Sequence, residues 1–197
     1  MYRHFNTHFQ SDVTTIHPGE YYASTESGII STVLGSCVAV ALYDPVHHIG
    51  GLNHFMLPGH LKDRERYYLT NAGKYGMFAM ELLINEMLKM GARRKDLIAK
   101  VFGGASVLNR QGTFSSTIPA DNIRFAQSFL ETEGIPVVAQ DVGGRLARKI
   151  FFFPTTSKVL LKRISGTLIR PVEEQEEQYL ETIREKAEDQ GAVTFFE

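Results

Sequence analysis

The 197-residue chain has one cysteine, Cys37, so no intrachain disulfide can form and a secreted disulfide scaffold is excluded. Net charge is almost absent: 21 basic against 22 acidic side chains leave a formal −1. That excludes a chain dominated by one sign, such as a basic nucleic-acid-binding arm. Long apolar stretches are missing as well. The longest runs, such as Val38–Tyr43 and Ile150–Phe153, fall far short of the ~20 residues that span a bilayer. The opening residues Met1–Gln10 lack the continuous apolar stretch of a signal peptide. These absences predict a cytoplasmic protein with no membrane insertion and no nucleic-acid partner. What is there is a globular balance, 43% hydrophobic and 22% charged, over a length that suits one domain with a real core.

The near-neutral total is a cancellation. Residues 173–197 hold nine acidic and two basic side chains, a net of −7, and residues 1–172 carry the compensating +6. Along the chain, the stretch through about Ser11 has no periodicity and is expected to fray. After the turn signal His17-Pro-Gly-Glu20, short strands are predicted at Tyr21–Ser24, Gly28–Leu34, Val38–Tyr43 and Ile49–Leu57. A helix is predicted over Gly73–Met90 with Asn71 as its cap, then a strand at Leu97–Phe102. A second helix opens at Pro119 and Asp121 and stops at Gly134. Strands follow at Pro136–Asp141, Lys149–Phe153 and Lys158–Ile164, and a Glu-rich helix at Glu173–Gln190. The class is mixed α/β with more strand than helix.

The chemistry concentrates around the hairpin. With its turn centred between Val46 and His47, Ala39 faces His54 and Cys37 lies diagonal to it. A centre one residue earlier sets Cys37 directly opposite His54. Both registers put thiol and imidazole on one sheet face, within roughly 5–8 Å at Cβ; a register of even residue sum would separate them. An imidazole beside a thiol can take its proton, generating the nucleophilic thiolate, and can later protonate a leaving amine. Gly35 and Ser36 leave room for a carbonyl to approach the backbone amides as an oxyanion hole, and Ser31 offers a hydroxyl to orient the imidazole. The plain alternative is a buried cysteine acting as a small hydrophobe.

The residues around the pair carry a more specific signal. Leu34-Gly-Ser-Cys-Val-Ala-Val40, Asp44-Pro45 and Gly50-Gly-Leu-Asn-His-Phe-Met-Leu-Pro58 resemble the chemoreceptor glutamine deamidase CheD family. Tyr75-Gly76, Ala79, Lys100-Val-Phe-Gly-Gly-Ala-Ser106 and Asp141-Val-Gly-Gly-Arg-Leu-Ala-Arg148 extend the resemblance over about residues 18–165. It implies a CheD-like domain at 18–172, between a flexible segment at 1–17 and an acidic helix and tail at 173–197. It also implies two stacked mixed β-sheets flanked by helices, similar to the deamidase domain of cytotoxic necrotising factor toxins. In the family pattern Cys37 is the nucleophile and His54 the histidine. The third residue, commonly a threonine six positions before the cysteine, falls on Ser31, with adjacent Thr32 as a substitute. The implied reaction deamidates receptor glutamines through a Cys37 thioester and needs no bound cofactor. The implied partners are the helical domains of methyl-accepting receptors and the chemotaxis phosphatase CheC.

Other readings compete. His47, His48, His54 and His60 with Cys37 straddle a turn and a loop rather than forming the compact spaced pairs of a zinc site, so no metal is expected. Gly103-Gly104-Ala105-Ser106 lacks the ending of a nucleotide-binding loop. It reads as a tight turn where backbones approach, and the resemblance places it, with Arg148, near the substrate. Arg145 and Arg148 are either solvated or substrate-contacting. The methionine stripe Met77, Met80, Met87 and Met90, with Ile84, reads as core. The functional alternatives are a non-catalytic regulator of CheC, or another cysteine hydrolase such as a thiol peptidase.

Overall fold

A computed structural model describes residues 1–59, 70–107, 117–165 and 169–189, the last four by backbone alone. Among the described residues, two five-stranded mixed sheets stack face to face. The first joins β1 (Tyr2–Asn6), β2 (Ser11–Thr15), β4 (Ile29–Leu34), β9 (Ala147–Phe152) and β10 (Val159–Ile164) in the order β1-β2-β4-β9-β10. The second joins β3 (Tyr21–Ser24), β6 (Ile49–Asn53), β5 (Val38–Asp44), β7 (Ile98–Gly103) and β8 (Val137–Val142) in the order β3-β6-β5-β7-β8. Each sheet contains one parallel pair, β2 with β4 and β7 with β8, among antiparallel ones. The expected class, α/β with two stacked mixed sheets, is the one observed.

The central strand β5 is buried along its whole length, which explains its unbroken apolar run. Its two faces serve different cores. Val38, Val40 and Leu42 pack outward against α1 (Asn71–Lys89) and α2 (Ile118–Thr132), whereas Cys37, Ala39 and Ala41 face the interior between the sheets. Helix α1 is capped by Thr70, whose side chain accepts from the Gly73 amide at 3.0 Å, and not by the expected Asn71. Met80, Ile84 and Met87 are core residues of this helix as predicted, while Phe78 and Met90 face outward.

The N-terminal stretch expected to fray instead forms β1 and β2, an antiparallel hairpin on the edge of the first sheet. Its pairing with β4 is what holds it; the exposed Tyr2 and Phe5 supply little burial to announce a strand. The Glu-rich helix α3 (Arg170–Asp189) is not a solvated rod. Val172, Glu176, Leu180 and Ile183 form a buried stripe, and Leu180 and Ile183 enter the inter-sheet core beside Cys37 and Met56.

Candidate active site

The chain passes from the first sheet to the second at Gly35-Ser36-Cys37, between β4 and β5. The hairpin that follows pairs Ala41 with Leu52, and Val38 bridges Phe55. This is the register centred between Val46 and His47, with Cys37 diagonal to His54. The backbone at His54 is fixed by the His17–Glu20 turn: His54 N donates to Glu20 O at 2.9 Å and Gly19 N to His54 O at 2.8 Å. A sulfur, a histidine nitrogen and a carboxylate oxygen, from Cys37, His54 and Glu176, lie within 4.8 Å of one another.

The hydroxyl on the imidazole belongs to Thr32, not to Ser31. Thr32 Oγ1 lies 2.7 Å from His54 Nδ1 and donates its one proton to Ile16 O at 2.8 Å. Toward the ring it therefore accepts, so Nδ1 carries hydrogen and Nε2 presents a bare lone pair. Nε2 has no hydrogen-bond partner among the described residues. Ser31, pairing with Phe151 on β9, sends its side chain to the other face of β4, where its Oγ is buried and also without such a partner. Adjacent strand residues point to opposite faces, so one position decides the assignment.

Around the thiol, backbone amides converge. Gly35 N and Cys37 N donate to Glu176 Oε1 at 2.8 and 3.2 Å; Ser36 N and Ser36 Oγ donate to Oε2 at 2.8 and 2.6 Å. Gly35 and Ser36 thus both face a carboxylate. Glu176 itself escaped that reading, for it is one glutamate among many in α3. The other missed residue is Asn122 on α2, fully buried, which donates to Ser36 O at 2.9 Å and accepts from Leu57 N at 2.8 Å. It ties the cysteine turn to the segment that follows His54.

The glycine loops are structural. Gly103 has φ +111°, and a Cβ there would lie 2.2 Å from Cys37 O, so both the backbone angle and the close approach demand glycine. Gly104 N donates to Cys37 O and Ala105 N to Gly35 O, each at 2.7 Å. Ser106 N reaches Gly144 O at 2.8 Å. Arg148 is fully buried and reaches the Asp141–Leu146 turn: it donates to Asp141 Oδ1 at 2.6 Å and to the carbonyls of Asp141 and Gly143. Gly143 N in turn donates to Gly103 O. Arg148 thus braces the loop behind the cysteine and is sealed from a substrate, whereas Arg145 is exposed.

Burial favours the neutral form of both Cys37 and His54. Burial pushes the Cys37 thiol well above its ordinary value, and the adjacent Glu176 charge pushes it further. Burial lowers His54 to about 3, with His17 adding to the effect. Of the histidines considered as metal ligands, His47 is held by Asp44 at 2.8 Å and His48 by the Tyr43 hydroxyl at 2.8 Å. His60 lies outside the described residues.

A family model described as CheD chemotactic sensory transduction matches residues 56–163, more than half of the chain. A Shewanella oneidensis protein named "Probable chemoreceptor glutamine deamidase CheD 1" is 45% identical over 177 residues, covering 90% of this chain and 84% of its own. A Laribacter hongkongensis protein with the corresponding CheD name is 42% identical over 193 residues, 98% of this chain and 92% of its own. A third, from Vibrio vulnificus strain CMCP6, is 39% identical over 199 residues, 98% and 91% of the two chains. No helix among the described residues is long and apolar enough to cross a membrane. With matches of this extent over a two-sheet fold that joins Cys37 and His54, the chain belongs to the CheD family.

Proposed function

We propose that the chain is a protein-glutamine deamidase acting on chemoreceptors, with Cys37 as nucleophile, His54 as general base and acid, and Thr32 as the residue that orients His54. The observation that carries this reading is the convergence of the Gly35, Ser36 and Cys37 amides on a carboxylate beside a cysteine and a histidine. Such donors stabilise the charge that develops on a carbonyl oxygen under attack.

His54 Nε2, left bare by the Thr32-fixed tautomer, takes the thiol proton as the sulfur attacks the glutamine carboxamide carbon. The carbonyl oxygen becomes an oxyanion received by the backbone amides. Collapse breaks the carbon–nitrogen bond, and His54 returns the proton to the departing ammonia, leaving a thioester. Water, deprotonated by the same Nε2, then attacks the thioester; glutamate leaves and the thiol is regenerated. The sum is one carboxamide and one water giving one carboxylic acid and one ammonia.

Intact-mass analysis of a receptor cytoplasmic fragment tests the reading. Each deamidated site adds about one mass unit through exchange of NH₂ for OH, and Cys37→Ala or His54→Ala should leave the fragment unchanged. A fragment split in two would indicate a thiol peptidase, and activity surviving in either variant would overturn the assignment. The family resemblance also supports a CheC-type phosphatase as a partner; co-elution of the two purified proteins would support this and separate elution would reject it.

A further inference from the structure

Glu176 is 2% exposed, a carboxylate withdrawn from water within a helix whose outer face carries Glu173, Glu174, Glu177, Glu181 and Glu185. A buried charge is tolerated only when donors surround it. Here the donors are the three amides and one hydroxyl of the cysteine turn, the same groups assigned above to the oxyanion. A carboxylate is also the side chain the reaction would make. Both of its oxygens are matched to N–H or O–H donors. A carboxamide in the same pose would turn an NH₂ group toward one of these amides, so the arrangement suits product better than substrate.

The rest of the helix fits the groove as a ligand would. Gln175 Nε2 lies 2.7 Å from His17 Nδ1, the Tyr179 hydroxyl hydrogen-bonds that of Tyr75, and Arg184 Nε donates to Pro58 O at 3.1 Å. The Tyr179 ring lies over Gly19, and Leu180 and Ile183 close over the core beside the thiol. With the helix in place Cys37 and His54 are shut off from solvent, so no receptor carboxamide can reach the sulfur.

We infer that α3 is a tethered product mimic: its Glu176 occupies the position of a newly made glutamate, and the chain rests autoinhibited until a glutamine-bearing receptor helix displaces α3 from the same groove. This rests on the deamidase reading for the identity of the competitor, though not for the occlusion. The groove then takes its substrate as a helix presenting one carboxamide inward, with a small hydrophobic stripe beside it and acidic or amide side chains outside.

Because Cys37 is the chain's one cysteine, its alkylation by iodoacetamide, followed by intact mass on the full-length protein, reads occlusion directly. Glu176→Ala removes the plugging carboxylate. Leu180→Asp undocks the helix through a second contact, with residue 176 itself unchanged. Each variant should alkylate at least roughly tenfold faster than the wild type, with circular dichroism confirming that the fold persists; Glu176→Ala alone decides if Leu180→Asp does not fold. Wild-type alkylation rates in the folded variants would overturn the inference. Faster alkylation without ammonia release from receptor fragments would keep the plug and retire the deamidase reading. Ammonia release with unchanged alkylation would do the reverse.

Discussion

Replacing Thr32 by valine keeps the shape of the side chain and deletes one oxygen that serves two buried groups. Its hydroxyl receives the His54 Nδ1 proton at 2.7 Å and donates to Ile16 O at 2.8 Å, with no exposure of the residue itself. Valine leaves both unpaired, at about 1–3 kcal/mol for each group, so the variant should unfold about 2–6 kcal/mol more easily. The catalytic loss is separate. Without an acceptor at Nδ1 the ring is free to place its proton on Nε2, the nitrogen that must be bare to accept from the thiol. Forfeiting one buried hydrogen bond in the transition state, about 1.5–3 kcal/mol, lowers kcat roughly 10- to 150-fold. KM should hold, since Thr32 sits behind the imidazole and meets no substrate.

Ser31→Ala is the matched control. Its hydroxyl is buried with no partner among the described residues, so its removal should leave kcat within about twofold and stability unchanged or slightly raised. Ammonia release from a saturating receptor fragment, below the unfolding temperature of each variant, measures the difference. Nitrogen NMR of the imidazole should report Nδ1–H in the wild type and a mixed tautomer in Thr32→Val. A Ser31→Ala enzyme that loses activity as predicted for Thr32→Val, beside an unimpaired Thr32→Val, would refute the assignment.

Three other outcomes follow from the same geometry. Arg148→Met removes a buried guanidinium from the Asp141–Leu146 turn and should cost about 2–4 kcal/mol by urea denaturation; because Gly143 holds Gly103 behind the cysteine, kcat should fall more than KM rises. His54, lowered from 6.5 to about 3, binds a proton in the unfolded chain before it does in the folded one. Its contribution to stability is therefore complete above pH 6.5 and lost as pH falls toward 3. Between pH 7 and pH 5 the wild type should lose about 2 kcal/mol more than His54→Asn, and equal losses would show that the imidazole is not buried neutral. Finally, a full-length Glu176→Gln chain offers its own carboxamide to Cys37. It should gain about one mass unit at residue 176 on standing, and Cys37→Ala in the same chain should abolish the gain.

The Cys37–His54 pairing was legible because alternation along a strand needs only a turn position to fix which residues share a face. Two of the three registers considered put them together, and β5–β6 adopts one of those. The same rule defeated the third member. Counting back from Cys37 reaches Ser31, yet the face that meets His54 belongs to its neighbour, and no periodicity in Ile29–Leu34 distinguishes them because both faces of β4 are buried. Glu176 was illegible for a different reason: its partners lie about 140 residues away, and within α3 only its place in a stripe with Val172, Leu180 and Ile183 separates it from its exposed neighbours. Arg148 reads from the sequence as either solvated or substrate-contacting because a single sequence does not display the turn carbonyls that enclose it. The edge hairpin β1–β2 was missed since an edge strand with exposed apolar residues carries no alternation to read.

The cancelled charge of the whole chain takes on meaning through α3. A body of +6 that must attract an acidic, glutamine-bearing helix will also attract the −7 segment joined to it, and the tether gives that segment an effective concentration in the millimolar range. A free receptor helix at micromolar concentration would lose this competition unless it bound far more tightly. The resting state therefore favours the closed form, and opening depends on substrate presented densely or held by contacts outside the groove. Closed, the site also keeps its thiol protonated and its lone cysteine out of reach of oxidants, because the carboxylate that blocks the amides raises the cost of forming the thiolate. Displacement of α3 removes that charge at the moment the carboxamide arrives, so one motion both admits the substrate and lowers the barrier to making the nucleophile.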